Sequence, residues 1–172
     1  MPNTSNAAFL ATVAFGRASQ RLIMDEANML SRQDWLLLFI GLPGGPYPTD
    51  QIRVMKGMFL FSQEGPPQVR RLYNFKPYDY GPFDTQIYHD LDLLEALGMV
   101  RSDVVSGTNR RIYRLTEKAQ QHFGMLETAA PEAPLAALRG IKRRVTSLSF
   151  LDLLKHVYER YPDYAAKSVA QL

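Results

Sequence analysis

Four polar side chains cluster near the start of a helical pattern and have the types that contact DNA bases. These are Thr85, Gln86, Tyr88 and His89. In the major groove, a glutamine amide can pair with adenine and a threonine methyl group can touch thymine. The stretch is therefore the first candidate for a DNA-binding site.

The same helical pattern is acidic, which argues against a simple role in reading DNA. It carries Asp84, Asp90, Asp92 and Glu95, and it contains neither lysine nor arginine. Its types and spacing predict a cap at Asp84 and a solvated face for the other acids, rather than a converging metal cage. Carboxylates that face phosphates weaken binding, so this helix is a poor reader of the major groove by itself.

Positive charge lies instead in the segment that follows the helix. Two β-rich runs flank a glycine-containing "SGTN" turn, a pattern that predicts a hairpin over 99–115. The candidate DNA contacts on this hairpin are Asn109, Arg110, Arg111 and Arg114. Such arginines can contact phosphates or enter the minor groove. Solvated arginines without a binding role are an equal alternative.

A protein partner is the other class of ligand that the pattern allows. An acidic helix, an aromatic loop and a basic hairpin together form a bipolar surface, and complementary charges of this kind steer protein association. The candidate contacts are Tyr78, Asp92 and Glu95. Tyr80 and Phe83 are expected instead to pack the "YGPF" loop against the neighbouring helices.

The residue types of the chain do not favour catalysis or metal binding. The chain has no cysteine, which excludes disulfides and thiolate chemistry. Its three histidines, His89, His122 and His156, lie outside any metal-binding or catalytic motif. The sequence therefore predicts a protein that is not an enzyme and that needs no metal and no cofactor.

Composition places the chain among globular proteins. It has 172 residues, of which 46% are hydrophobic and 22% charged, with a net charge of +3. This is enough apolar surface for a core and too little net charge to identify a polyanionic partner. No apolar run reaches the roughly 18 residues of a membrane span, and no targeting signal is evident. A cytoplasmic protein that does not enter a membrane is expected.

Hydrophobic periodicity predicts the elements that position these side chains. Helices are expected near 32–41, 50–63 and 84–97, with the residues between 66 and 83 forming an irregular aromatic loop. Three more helices should follow the hairpin. In the third helix, the predicted buried stripe is Ile87, Leu91, Leu94 and Leu97, and Gly98 is expected to end the helix in the left-handed conformation.

This order of elements is typical of a winged helix-turn-helix domain. The third helix would take the recognition position, and the "SGTN" turn would form the tip of the wing. The expected fold class is α+β and mainly α, with the winged-helix domain over 31–128. An N-terminal extension over 1–30, partly disordered or helical, precedes it, and a two-helix extension over 129–172 packs on it.

Two stretches resemble known families. "KPYDYGPFDTQIYHDLDLLEALGMV" resembles the central motif of a group of small bacterial winged-helix proteins, in which a "YGPF" loop precedes a helix of the form "IYxDLxxLxxxG". The Panacea-domain antitoxins carry a comparable "YGP" before a helix that contains tyrosine. "HVYERYPDYAAKS" is similar to the tail of uncharacterised members of the first group.

The resemblance implies a bacterial winged-helix fold more than a function. The leading hypothesis is a transcriptional regulator that binds double-stranded DNA. The alternative is a protein-interaction module, or an antitoxin-like protein with a partner such as a toxin, which does not read DNA through its third helix. Either protein could act as a homodimer.

Overall fold

The computed structural model describes residues 29–170, which fold mainly as helices with a few short antiparallel strands. Residues from Arg32 onward form one compact unit. The prediction of an extension over 1–30 falls almost entirely outside the described residues. The coarse prediction of an α+β, mainly α fold is confirmed.

Six α-helices occur in the part of the chain that the structure describes. They are α1 (Arg32–Gly41), α2 (Gln51–Glu64), α3 (Thr85–Ala96), α4 (Glu117–Ala129), α5 (Glu132–Ser147) and α6 (Phe150–Arg160). The strands are β1 (Lys76–Tyr78), β2 (Gly81–Phe83), β3 (Val100–Val104) and β4 (Arg111–Leu115). Short 3-10 turns occupy Pro67–Val69 and Pro162–Ala165. None of the described helices combines the length and the apolar character needed to cross a membrane.

Helices α1 and α2 form the centre of the core. The residues Trp35–Ile40 are buried on every side of α1, as its unbroken apolar run predicts. The residues Arg53–Ser62 of α2 are likewise all buried. The carboxylate of Asp50 caps α2 by accepting a hydrogen bond from the backbone N–H of Arg53.

The two C-terminal helices are part of the same core. In α5, apolar residues at helical spacing form a buried face that consists of Leu135, Leu138, Ile141 and Val145. In α6, Leu154 and Val157 are buried, whereas Phe150 and Leu151, which belong to the same apolar pattern in the sequence, are exposed. Periodicity shows which residues share a helix face, but not how far a neighbouring element covers that face.

An aromatic cluster ties the end of the chain to α2. The fully buried ring of Phe59 lies 5.3 Å from Phe75, 5.0 Å from Tyr161 and 4.7 Å from Tyr164, measured between centroids. The edge-to-face angles are those that aromatic pairs prefer. The segment after α6 is therefore packed against the core.

Lys142 of α5 is buried, although it lies in the basic run "KRR" at 142–144. Its ammonium donates to the carbonyl oxygens of Phe39 (2.7 Å) and Ile40 (3.2 Å) and to Oγ1 of Thr49 (2.6 Å). These two carbonyls lie at the end of α1, where helical C=O groups lack partners within the helix. The lysine thus joins α5 to the C-terminus of α1, and only the neighbouring Arg143 is exposed.

The residues between α2 and α3 contain more order than the predicted loop. Strands β1 and β2 pair as a short antiparallel hairpin, in which Tyr78 faces Gly81. Gly81 has a φ of +86°, and a Cβ added there would lie 2.6 Å from the ring of Tyr158. Glycine is required by both the backbone and the space, which explains its place in "YGPF".

The predicted hairpin over 99–115 is confirmed. Strands β3 and β4 pair antiparallel, from Val100 opposite Leu115 to Val104 opposite Arg111. A third extended segment joins them, because the N–H of Tyr113 donates to the carbonyl of Thr49 (2.9 Å). The hairpin is thus attached to the connection between α1 and α2.

Candidate nucleic-acid interface

Helix α3 is fixed at both ends and along one face, largely as its sequence predicts. The Asp84 carboxylate caps it by accepting from the N–H of Gln86 (2.9 Å), and Gly98 follows it with a φ of +68°. Three predicted core residues are buried, namely Ile87, Leu91 and Leu94. The predicted burial of Leu97 is wrong, because this side chain is 53% exposed and lies beyond the surface that covers the earlier turns.

Asp90 does not lie on a solvated acidic face, so that prediction is wrong. Its side chain is 2% exposed and accepts from Nε of Arg32 (2.7 Å), Nε2 of Gln33 (2.8 Å), the hydroxyl of Tyr73 (2.9 Å) and Nε2 of Gln86 (3.1 Å). These donors belong to α1, the loop before β1 and α3 itself. A buried carboxylate with this many donors holds those three segments together.

The charge on Asp90 is maintained by its partners. Burial alone would raise the pKa of this carboxyl, but the hydrogen bonds from Arg32, Tyr73, Gln86 and Gln33 together hold it below its ordinary value. Burial and the adjacent carboxylate raise the pKa of Tyr73. Asp90 is therefore an ionised carboxylate that pairs with Arg32. Its burial leaves one acid fewer on the surface of α3.

The exposed surface of α3 differs from the set of residues that the sequence proposed. Thr85 and His89 are exposed, one helical turn apart, and remain available to a ligand. Gln86 is half-buried and bonded to Asp90, and Tyr88 is half-buried with its ring 5.6 Å from that of Phe83. Burial also raises the pKa of Tyr88. Both side chains therefore have internal roles.

The wing, defined as residues 100–115, distributes its arginines over two faces. Arg101 and Arg114 stand opposite each other on one face, and Arg114 is paired there with Asp103 (2.5 Å). Arg111 lies on the other face, where its guanidinium donates to the hydroxyl of Ser102 (3.0 Å). The predicted arginines thus do not form one continuous patch.

The tip and base of the wing have different surroundings. Asn109 and Arg110 are exposed beside the turn, in which Thr108 donates through Oγ1 to the carbonyl of Val105. Nε of Arg110 lies 3.9 Å from the buried carboxylate of Asp50. The side chain of Arg110 therefore runs back over the start of α2.

Tyr113 connects the face of the wing that carries Arg111 with α3. The hydroxyl is buried and has a pKa raised to about 12, first by burial and then by the negative charge of Glu95. The positive charge of Arg111 lowers this pKa, whereas the negative charge of Asp92 raises it. Strand β3, which pairs with the strand that carries Arg111, packs against α3.

Four exposed cations surround the amino end of α3. Arg70 and Arg71 line one hollow next to Gln86, whereas Lys76 and Lys167 line another next to Thr85. The sequence places the first three near the aromatic loop. Lys167 could not be assigned to this site from the sequence, because only the packing of the chain's end brings it there.

The proposed protein-interaction residues are solvent-accessible to different degrees. Tyr78 is 52% exposed, with its ring stacked on Phe83 at 4.9 Å, and Asp92 is exposed, whereas Glu95 is half-exposed. Leu93 and Leu97 are also exposed, one turn apart on α3. These leucines were not among the predicted contacts, because the sequence placed Leu97 in the buried stripe of the helix.

The histidines and acids show no common centre. Within residues 29–170, no three His, Cys, Asp or Glu side chains converge in a way that could hold a metal ion. His122 lies 3.9 Å from Asp34, and His156 lies 3.4 Å from Arg144. Burial and then the nearby arginines lower the pKa of His156.

No protein-family model matches the sequence, and no curated protein is significantly similar to it.

Proposed function

We propose that this protein is a bacterial, cytoplasmic transcriptional regulator that binds double-stranded DNA through a winged-helix domain. In this proposal α3 lies at the major groove, and the wing contacts the backbone or the adjacent minor groove. The protein has no catalytic role in it.

The observation that carries the proposal is the shared surface of the wing and α3. Strand β3 of the wing packs against α3, and Tyr113 on the paired strand β4 is buried. The wing is held in this position by its bond to the segment before α2, through Tyr113 and Thr49. A helix beside a basic hairpin can place one element at the major groove and the other at the backbone or the adjacent minor groove.

The charge of α3 also opposes DNA less than its sequence suggests. Asp84 caps the helix, and the charge of Asp90 is paired with Arg32 in the interior, which leaves Asp92 and Glu95 as the accessible acids of α3. Exposed cations at the amino end of α3 can contact phosphates on that side. Thr85 and His89 are then the side chains of α3 placed to meet base edges.

The resemblance of the "YGPF" segment to small bacterial winged-helix proteins supports the same assignment. The structure gives a physical reason for two residues of the shared motif, Gly81 and Asp90. Gly81 adopts a positive φ, and the aspartate of "YHDL", Asp90, is buried among donors. Both features position α3, so they serve the fold rather than a choice of ligand.

Binding to duplex DNA of random sequence tests the proposal. We expect fluorescence anisotropy to show binding that weakens as salt is raised from about 50 mM. Replacing Arg110 and Arg111 together by alanine should weaken binding to every sequence, and each lost phosphate contact should reduce the log–log salt slope by about 0.9. The matched control replaces Arg139 and Arg143 of α5 by alanine, with the same change in charge.

The control distinguishes a wing contact from general attraction to a basic protein. If both double variants lose the same affinity, the wing has no specific part in binding. The absence of salt-dependent binding to any duplex at about 50 mM salt would exclude the regulator.

A protein-interaction module is the second candidate function, and one observation favours it. Leu93 and Leu97 form an exposed apolar pair next to Asp92 on α3. Apolar anchors beside a charge suit a protein surface better than a phosphate backbone. Replacing both leucines by serine should abolish capture of such a partner and leave the salt slope of DNA binding unchanged.

A further inference from the structure

Two buried lysines differ in how the protein satisfies their ammonium groups. Lys56 of α2 and Lys142 of α5 are each 2% exposed. The ammonium of Lys142 has three protein acceptors, one for each N–H. The protein supplies Lys56 with one, the carbonyl oxygen of Pro82 at 2.9 Å. The two sites therefore share burial but not hydrogen bonding.

Lys56 also lines a cavity of about 170 Å³, which lies between α2, the β1–β2 hairpin and α3. Apolar side chains of α2 form one wall, and four aromatic residues line the rest of the cavity. The residues concerned are Ile52, Met55, Tyr78, Tyr80, Phe83 and Tyr88. An apolar cavity of about 150 Å³ is large enough to bind benzene, so this space fits one six-membered ring.

We propose that this cavity binds a small monocyclic aromatic carboxylate, with the ring against the side chains of Met55, Phe83 and Tyr88 and the carboxylate on the ammonium of Lys56. The apolar walls favour the ring, and the remaining N–H groups of Lys56 can donate to an anion. A hydrogen bond between an ammonium and a carboxylate joins two ionised groups and is stronger than one between neutral groups.

The charges around the cavity are compatible with an anion. Burial lowers the pKa of Lys56 to about 7, and a bound carboxylate would favour its charged form. Asp79 also lines the cavity, but this side chain is exposed, so solvent screens its charge. Among the residues that line the cavity, Lys56 is the buried cationic side chain, and its protonated form selects an anion.

The site is distinct from the proposed DNA contacts, which lie on the exposed side of α3. Tyr88 belongs to α3 and Phe83 to the hairpin before it, so a bound ring would bridge the two elements. Binding of the carboxylate is measured on the free protein, and its outcome does not depend on whether the protein binds DNA.

The probes are benzoate, the neutral isostere benzamide and acetate, titrated into the full chain by isothermal calorimetry. We expect benzoate to bind with a Kd below about 1 mM and the other two to bind at least about tenfold more weakly. Lys56→Met should reduce the benzoate affinity by about tenfold or more, because a charge-assisted contact is lost. Lys142→Met, the matched buried control, should leave it within about twofold.

Three outcomes would overturn the proposal. They are the absence of benzoate binding up to about 10 mM, equal binding of benzamide, and equal loss in the two lysine variants. If Lys56→Met does not fold, NMR on the wild-type protein replaces this test. The measurement is magnetisation transfer between the ring protons of benzoate and the methyl group of Met55. Transfer to this methyl, with none to the buried Met58 outside the cavity, supports the site; lack of transfer to Met55 rejects it.

Discussion

At the scale of single residues, Asp90 shows what a sequence pattern omits. The position follows Ile87 by three residues and precedes Leu94 by four, so helical spacing puts it on the buried face. Because it is an aspartate, we expected its side chain to be exposed to solvent. Arg32, the partner that makes its burial favourable, lies far away in the chain. Spacing could have identified the burial, but not the donors.

We expect Asp90→Asn to lower the free energy of unfolding by about 2 to 3 kcal/mol, as measured by urea denaturation. The amide removes the charge that Arg32 faces and puts N–H donors where acceptors are needed. Because Arg32 is 38% exposed, the loss should stay below that of a fully buried pair. Asp92→Asn, an exposed acid on the same helix, should change stability by less than about 0.5 kcal/mol. Equal effects would refute the role of the network.

The same carboxylate predicts a dependence on acid. The folded pKa of Asp90 lies below its value in the unfolded chain, which is near 3.9. Its contribution is therefore complete above that value and is lost as the pH falls through the folded pKa. Between pH 5 and pH 3, wild-type protein should lose more stability than the Asp90→Asn variant, in urea titrations at each pH. Parallel losses would contradict the lowered pKa.

The buried lysines predict a dependence in the alkaline direction. Burial lowers the pKa of Lys56 and of Lys142 from 10.5 to about 7. Between about pH 7 and 9 the unfolded chain binds more protons than the folded one, so stability should rise with pH. Lys56→Met and Lys142→Met should each reduce this rise, whereas the exposed Lys155→Met should not. Identical slopes in all four proteins would show that neither lysine loses its proton.

At the scale of elements, sequence patterns predicted correctly those structures that depend on residues close together in the chain. The hairpin over 99–115 follows from a glycine turn between two β-rich runs, and the caps at Asp84 and Thr116 follow from residue type. The β1–β2 hairpin was missed because its strands are three residues long and contain proline. Its stability comes from packing, such as that of Tyr158 on Gly81.

Helix α3 offers a matched pair of leucines for testing its buried face. Leu91→Ala should destabilise the protein by about 2 to 5 kcal/mol, because it removes a fully buried side chain. Leu97→Ala removes the same atoms from an exposed position and should cost less than about 0.5 kcal/mol. Thermal or urea unfolding measures both, and an unchanged melting temperature for Leu91→Ala would contradict the burial of this face.

At the scale of the whole molecule, the sequence predicts the order of elements but not how they share a core. The periodicity of α5 identified its buried residues, yet nothing local shows that Lys142 reaches the end of α1. The cations around α3 have the same origin, since Lys167 meets Thr85 only after the chain's end folds back. Long-range placement of this kind depends on packing, which periodicity does not encode.

The positions of the acidic and basic side chains allow an experiment that distinguishes DNA binding from protein binding. Helix α3, which carries Asp92 and Glu95, packs against a wing whose exposed charged residues are mainly arginines. If DNA approaches this surface, the two acids repel its phosphates. Replacing them by asparagine and glutamine should then tighten binding to a random duplex by roughly threefold to tenfold at about 50 mM salt, and by less at higher salt.

The control for this change neutralises Glu159 and Asp163, two exposed acids near the end of the chain, in the same way. A gain confined to the α3 variant would show that α3 faces the duplex, because net charge alone raises affinity equally in both. If instead the α3 change leaves DNA affinity unchanged and slows association with a protein partner, the acids steer that partner and the surface belongs to an interaction module. Anisotropy with a labelled duplex and stopped-flow association with the partner measure the two effects separately.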